Sequence, residues 1–192
     1  MSETPTDAPP TEHQAPPELR RADSLVLVNT GNGKGKSTAA FGTMIRSVAR
    51  GWPVAVVQFL KSGKWHTGEE KVARELGVDW HAIGEGFTWD SEDLTQDEAV
   101  AREAWHRAAG LLAAGTHRLV VLDEITYPMN WGWIDADEVL AAIRDRSREV
   151  NVVCTGRDAP AGLVELADTA TEMRVLKHAY ESGIRAMKGI DY

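Results

Sequence analysis

Two clusters in this chain have residue types and spacing that could do chemistry. The first is Thr30-Gly31-Asn32-Gly33-Lys34-Gly35-Lys36-Ser37-Thr38, which alternates glycine with polar side chains. Closely spaced glycines let successive backbone N–H groups curl around a phosphate. Lys36 would then contact phosphate oxygens, and the Ser37 hydroxyl would ligate Mg2+, or Mn2+ in its place. The second cluster is Leu119-Val120-Val121-Leu122-Asp123-Glu124, an apolar run that ends in two acids. Asp123 would hold the metal directly or through water, and Glu124 would be a second metal-shell group or, in a hydrolase, the base for water. Together they point to a site for Mg-ATP. The loop departs from the usual pattern in two ways: Thr30 stands where the first glycine is normally found, and Lys34 adds a second positive charge inside the loop.

Such a loop works only between a strand and a helix, because the helix N-terminus adds partial positive charge. Both are present in the sequence. Residues 25–29 (Leu-Val-Leu-Val-Asn) read as a strand, and residues 39–44 (Ala-Ala-Phe-Gly-Thr-Met) as a helix. Further strands are expected over 54–59, 78–81, 119–122, 150–154 and 171–176. Helix starts are signalled by Thr67 with Glu70, Thr95 with Glu98, and Asp135 with Glu138, each a capping oxygen three residues before an acid. Nearly all-apolar strands alternating with helices imply a parallel sheet covered on both faces. The expected fold is α/β, a P-loop NTPase-like (RecA-like) three-layer arrangement with a mostly parallel central sheet.

Composition bounds the rest. The 192 residues, 43% of them apolar, suit one well-cored domain. Residues 1–21 hold Pro5, Pro9, Pro10, Pro16 and Pro17 among Thr, Glu, Asp and Gln, and are expected to be a disordered tail ahead of a domain over 22–192. A formal charge of −8 argues against a nucleic-acid partner. No stretch has the composition of a membrane span or a secretory signal, so the expected location is the cytoplasm. The lone cysteine, Cys154, lies in an apolar run and reads as a small buried hydrophobe.

Six motifs, in order, resemble the P-loop type of ATP:corrinoid adenosyltransferase. They are Gly-Asn-Gly-Lys-Gly-Lys-Ser-Thr-Ala-Ala (31–40), Val-Gln-Phe-Leu-Lys (57–61), Gly-Glu-Gly-Phe-Thr-Trp (84–89), Leu-Asp-Glu-Ile-Thr-Tyr (122–127), Thr-Gly-Arg-Asp-Ala-Pro (155–160) and Ala-Asp-Thr-Ala-Thr-Glu-Met (167–173). Two departures are Ser37, where members usually have Thr, and Met187, where Gln is expected. The resemblance implies transfer of the 5′-deoxyadenosyl group of ATP to the Co(I) of a reduced corrinoid, with release of triphosphate. Cob(I) is itself a strong nucleophile, so the attack needs no activated side chain. Lys34 and Lys36 would act on the departing triphosphate, which gives the extra lysine a purpose. Asn32, Lys61 and Arg157 become nucleotide contacts, joining the loop residues 30–38. Arg157 follows a strand, where doubly wound sheets present ligand-binding side chains.

Phe87, Trp89, Trp131 and Trp133 lie in glycine-bearing loops after strands and are candidates to face the corrin ring, whereas Trp52, Trp80 and Trp105 read as core or partly buried. Phe87 and Trp89 could fill the lower axial site of cobalt with groups that have no lone pair to offer, making Co(II) easier to reduce. The resemblance also implies a homodimer and an electron-donor flavoprotein partner.

Overall fold

The computed structural model describes residues 18–60, 67–82 and 94–191. Most of the proline-rich segment, together with Lys61, Phe87 and Trp89, lies outside the described residues.

Six strands form one sheet: β1 (Val26–Thr30), β2 (Val54–Gln58), β3 (Asp79–Ala82), β4 (Leu119–Asp123), β5 (Asn151–Thr155) and β6 (Thr169–Glu172). Their order is β3-β2-β4-β5-β1-β6, and every neighbouring pair is parallel. One strand, β5, separates the loop-bearing β1 from the acid-bearing β4, the RecA-like arrangement of the P-loop fold. All five residues of β2 and of β4 are buried, which explains why these strands carry no polar alternation.

Side chains alternate between two cores. Val120, Leu122, Val152 and Cys154 face one side, where they meet Ala101, Ala104, Trp105, Ala108 and Leu112 of α3 (Leu94–Ala114), Val139 and Ile143 of α5 (Ala136–Arg144) and Leu163 of α6 (Ala161–Leu166). Leu119, Val121 and Val153 face the other, against Ala40, Phe41 and Met44 of α1 (Lys36–Ala49) and Ala73 of α2 (Gly68–Glu75). Phe41 packs on Trp80 with ring centroids 5.3 Å apart. Trp80 and Trp105 are core residues as expected, and Trp52 is half-buried beneath the Arg118 guanidinium. Cys154 is fully buried, and burial pushes its thiol up to about 12.

Helix starts follow local chemistry. The Thr67 side chain accepts from Glu70 N at 3.3 Å, as expected of a capping residue. Asp135 caps α5, but it receives the N–H of Asp137 rather than Glu138. α3 begins at Leu94, so a helix capped by Thr95 would start two residues late. The short helix α4 (Thr126–Asn130) has no capping box and was not anticipated.

The expected strand 171–176 is corrected to Thr169–Glu172. β6 pairs only with β1 among the described strands, and β1 ends at Thr30 where the glycine loop begins. Beyond Glu172 no ladder partner continues. This strand is also exposed along its length, unlike the buried strands expected, and its Thr and Glu content suits a sheet edge. The other strands shift by about one residue, the ordinary uncertainty of element ends.

Candidate active site

The parallel sheet brings the C-terminal ends of β1, β4 and β5 to one edge, and the candidate residues follow them. Along the glycine loop the environment alternates. Gly31 and Gly33 are buried, Asn32 and Lys34 are exposed, and Lys36 and Ser37 are half-buried at the start of α1. The buried glycines lie under the exit of β6. A Cβ on Gly33 would come 2.7 Å from the Met173 carbonyl, and Gly33 N donates to Met173 O at 2.6 Å. Gly35, in the left-handed region at φ 116°, turns the chain into α1.

The two lysines therefore have different surroundings. Lys36 Nζ donates to Gly33 O at 2.7 Å. Burial lowers its pKa, the nearby Arg157 guanidinium lowers it further, and Glu124 and Asp123 pull the other way. The charges of Arg157, Glu124 and Asp123 thus all reach Lys36. Lys34 is half exposed and ion-paired with Asp191 near the C-terminal end. Thr30 explains its departure from glycine: its Oγ1 accepts from Ala159 N at 3.0 Å and so ties the loop to the segment after β5.

Asp123 is fully buried. Gln58 Nε2 donates to its Oδ2 at 2.9 Å, and Thr155 Oγ1 donates to its Oδ1 at 2.8 Å. Glu124 has φ 66°, uncommon for a residue with a side chain, and its N–H donates to Thr155 Oγ1 at 2.9 Å. The segment carrying Arg157 is held from the other side as well. Thr126 Oγ1 donates to Arg157 O at 2.6 Å, and Asn130 Nδ2 donates to Asp158 O at 3.0 Å. Gly156 is required there, since a Cβ would collide with Thr126 Oγ1.

An aromatic row leads away from the acid pair. The Tyr127 and Trp131 rings are 5.6 Å apart, and those of Trp131 and Trp133 are 4.7 Å apart. Trp131 is 38% exposed at the end of α4, whereas Trp133 packs against the core. The two are thus brought together as read, but on a helix end and its turn, with only Trp131 offering an open face. Burial, and then the charge of Glu124, raise the Tyr127 phenol.

Gln58, Thr155, Thr126, Asn130 and Tyr127 were not singled out from the sequence. Gln58 and Thr155 did carry a signal, since each is the polar last residue of an otherwise apolar strand.

The donor set Ser37, Asp123 and Glu124 is all oxygen, which suits Mg2+. Among the described residues no group of three or more His, Cys, Asp or Glu side chains is placed to hold a metal.

A parallel α/β sheet with a glycine-rich loop opening a helix, and a buried acid two strands away, defines a P-loop NTPase-like nucleotide-binding protein. Within that class the chain belongs to the family ATP:corrinoid adenosyltransferase BtuR/CobO/CobP, which it matches over residues 22–192. It is 46% identical to the corrinoid adenosyltransferase of Pseudomonas aeruginosa over 177 residues, 91% of this chain and 87% of that one. It is 43% identical to that of Escherichia coli K12 over 168 residues, 88% of this chain and 85% of that one. A KaiC-like protein from Pyrococcus horikoshii OT3 aligns with TM-score 0.46 at 15% identity, covering 82% of this chain and 75% of that one. Among the described residues no helix is long and apolar enough to cross a membrane.

Proposed function

We propose that this protein transfers the 5′-deoxyadenosyl group of ATP to the Co(I) of a corrinoid. Co(I) supplies both electrons of the new cobalt–carbon bond to C5′, and the C5′–O electron pair leaves with triphosphate. The observation that carries this reading is the convergence of Lys36 and Arg157 with the acid pair on the glycine loop in a chain of this family. The lone cysteine is buried and its thiol is held protonated, so it is not a competing nucleophile. What remains for the protein is placement of C5′, on the order of 7 to 11 kcal/mol in ideal cases, and stabilisation of the leaving group.

Lys36 and the loop amides contact the triphosphate, with Arg157, Asn32 and Lys61 as further nucleotide contacts. Lys34 joins them by exchanging its Asp191 partner for phosphate. Ser37, Asp123 and Glu124 would hold Mg2+, which when bound neutralises charge on the departing chain. Phe87 and Trp89, with Trp131 as the open aromatic face, meet the corrin ring. The same reading takes the protein as a cytoplasmic homodimer supplied with electrons by a flavoprotein.

The test is product identity. Incubation with Mg-ATP and chemically reduced corrinoid should give stoichiometric triphosphate and the absorption spectrum of a cobalt–carbon bond. Release of ADP and phosphate instead would make it a phosphohydrolase or kinase.

A further inference from the structure

The Thr155 hydroxyl stands between the two acids of the site. A hydroxyl has one hydrogen and two lone pairs. Because Glu124 N–H must donate, Thr155 Oγ1 accepts from it, and the single hydroxyl hydrogen goes to Asp123 Oδ1. Gln58 Nε2 occupies one direction at Oδ2. Asp123 is thus gripped at both oxygens. The register explains why these three meet: Gln58 lies beside Asp123 in the β2·β4 ladder, and Leu122 lies beside Cys154, so Thr155 follows at the level of Asp123.

The second bond acts on the backbone. Glu124 sits at φ 66°, a conformation that costs a non-glycine residue roughly 1 to 2 kcal/mol. Without the Thr155 hydroxyl, Asp123 loses its hold at Oδ1 and Glu124 N–H loses its acceptor, in a single event.

We propose that Thr155 is a positioning residue for this reaction: its one hydroxyl orients Asp123 and Glu124 together toward the metal of Mg-ATP, with Gln58 completing the hold on Asp123. It touches neither substrate. The proposal rests on the reading of Asp123 as a metal-side acid. Groups that orient a metal's ligands typically change metal affinity or activity 10- to 100-fold when removed.

The experiment is calorimetric ATP binding across a Mg2+ titration, with circular dichroism as a fold control. The proteins are wild type, Thr155→Val, Thr155→Ser, Gln58→Met and Asp123→Asn. Thr155→Val, which keeps shape but loses the hydroxyl, should require about 10-fold or more Mg2+ for half-maximal binding, with metal-free ATP affinity unchanged. Thr155→Ser should restore the wild-type Mg2+ dependence. Gln58→Met should shift it in the same direction as Thr155→Val, and supplies the reading if the valine variant does not fold. If Asp123→Asn shifts the Mg2+ dependence while folded Thr155→Val, or Gln58→Met in its place, matches wild type, the positioning role is wrong and the metal-side reading stands. Should Asp123→Asn itself leave the Mg2+ dependence unchanged, the metal-side reading fails and the positioning role falls with it.

Discussion

Lys36 carries its charge where burial and a neighbouring guanidinium both oppose it, and only the acid pair favours it. A negatively charged triphosphate relieves that tension, so Lys36 should matter more than the half-exposed Lys34, which already has Asp191 as partner. Lys36→Ala is expected to lower turnover by about 10²- to 10³-fold, the usual cost of removing a preorganised electrostatic contact, with an unchanged circular dichroism spectrum. Lys34→Ala should cost about tenfold. Steady-state rates of the two variants check the order, and equal losses would show that the loop does not distinguish its lysines.

Cys154 gives a pH dependence of known sign. Its thiol is pushed from 9.0 to about 12 by burial, so the folded chain holds this proton more tightly than the unfolded one. The corresponding stability is complete below pH 9. It declines as pH rises from 9 towards 12, because the unfolded chain then releases a proton that the folded chain keeps. Relative to wild type, Cys154→Ala should therefore be less stable at pH 8 and regain ground at pH 10.5, as read by urea unfolding at both pH values.

At the scale of elements, the phosphate loop and the end of β6 behave as one unit. Met173 N donates to Thr30 O at 2.8 Å, Gly33 N donates to Met173 O, and a Cβ at Gly33 would press into the backbone of Met173 and Arg174. Gly33→Ala is expected to lose about 1 to 3 kcal/mol of stability, as other overpacking changes do, and to weaken ATP binding in parallel. Denaturant melts and ATP titrations of the same preparation check this. Phe87 and Trp89 come after β3 in the sequence, and the C-terminal end of β3 lies on the same edge of the parallel sheet as that of β1. If these aromatics exclude the lower axial ligand, Phe87→Ala or Trp89→Ala should impair reduction of bound Co(II) far more than ATP affinity. Chemically pre-reduced Co(I) should restore much of the rate. Equal losses with both cobalt states would leave the two residues as packing.

For the whole molecule, two cores on opposite faces of one sheet account for the stability of the described residues, and what is expected of the segment before residue 18 comes from its sequence alone. Its proline-rich composition predicts that removing residues 1–15 shifts the melting temperature by less than a few degrees. Differential scanning calorimetry of the shortened chain decides it, and a drop of many degrees would show that the segment is packed.

The sequence by itself determined the residues whose chemistry is local. Lys36 and Ser37 could be named because a loop between a strand and a helix needs only near neighbours to form a phosphate cradle. Asp123 and Glu124 could be named because an apolar strand ending in acid keeps its meaning in any parallel sheet. The parallel α/β class was legible for the same reason, since all-apolar strands between helices have few other ways to be buried.

The tertiary structure alone decided which polar strand ends meet. Gln58 and Thr155 lie 65 and 32 residues from Asp123, and only the order β2-β4-β5 and its register place both against the carboxylate. It also decided that Thr30 serves the loop through Ala159, that β6 stops where β1 stops, and that Lys34 points outward while Lys36 points in. Each of these depends on a neighbour distant in sequence, and the spacing of residues along one segment carries no information about which distant segment will lie beside it.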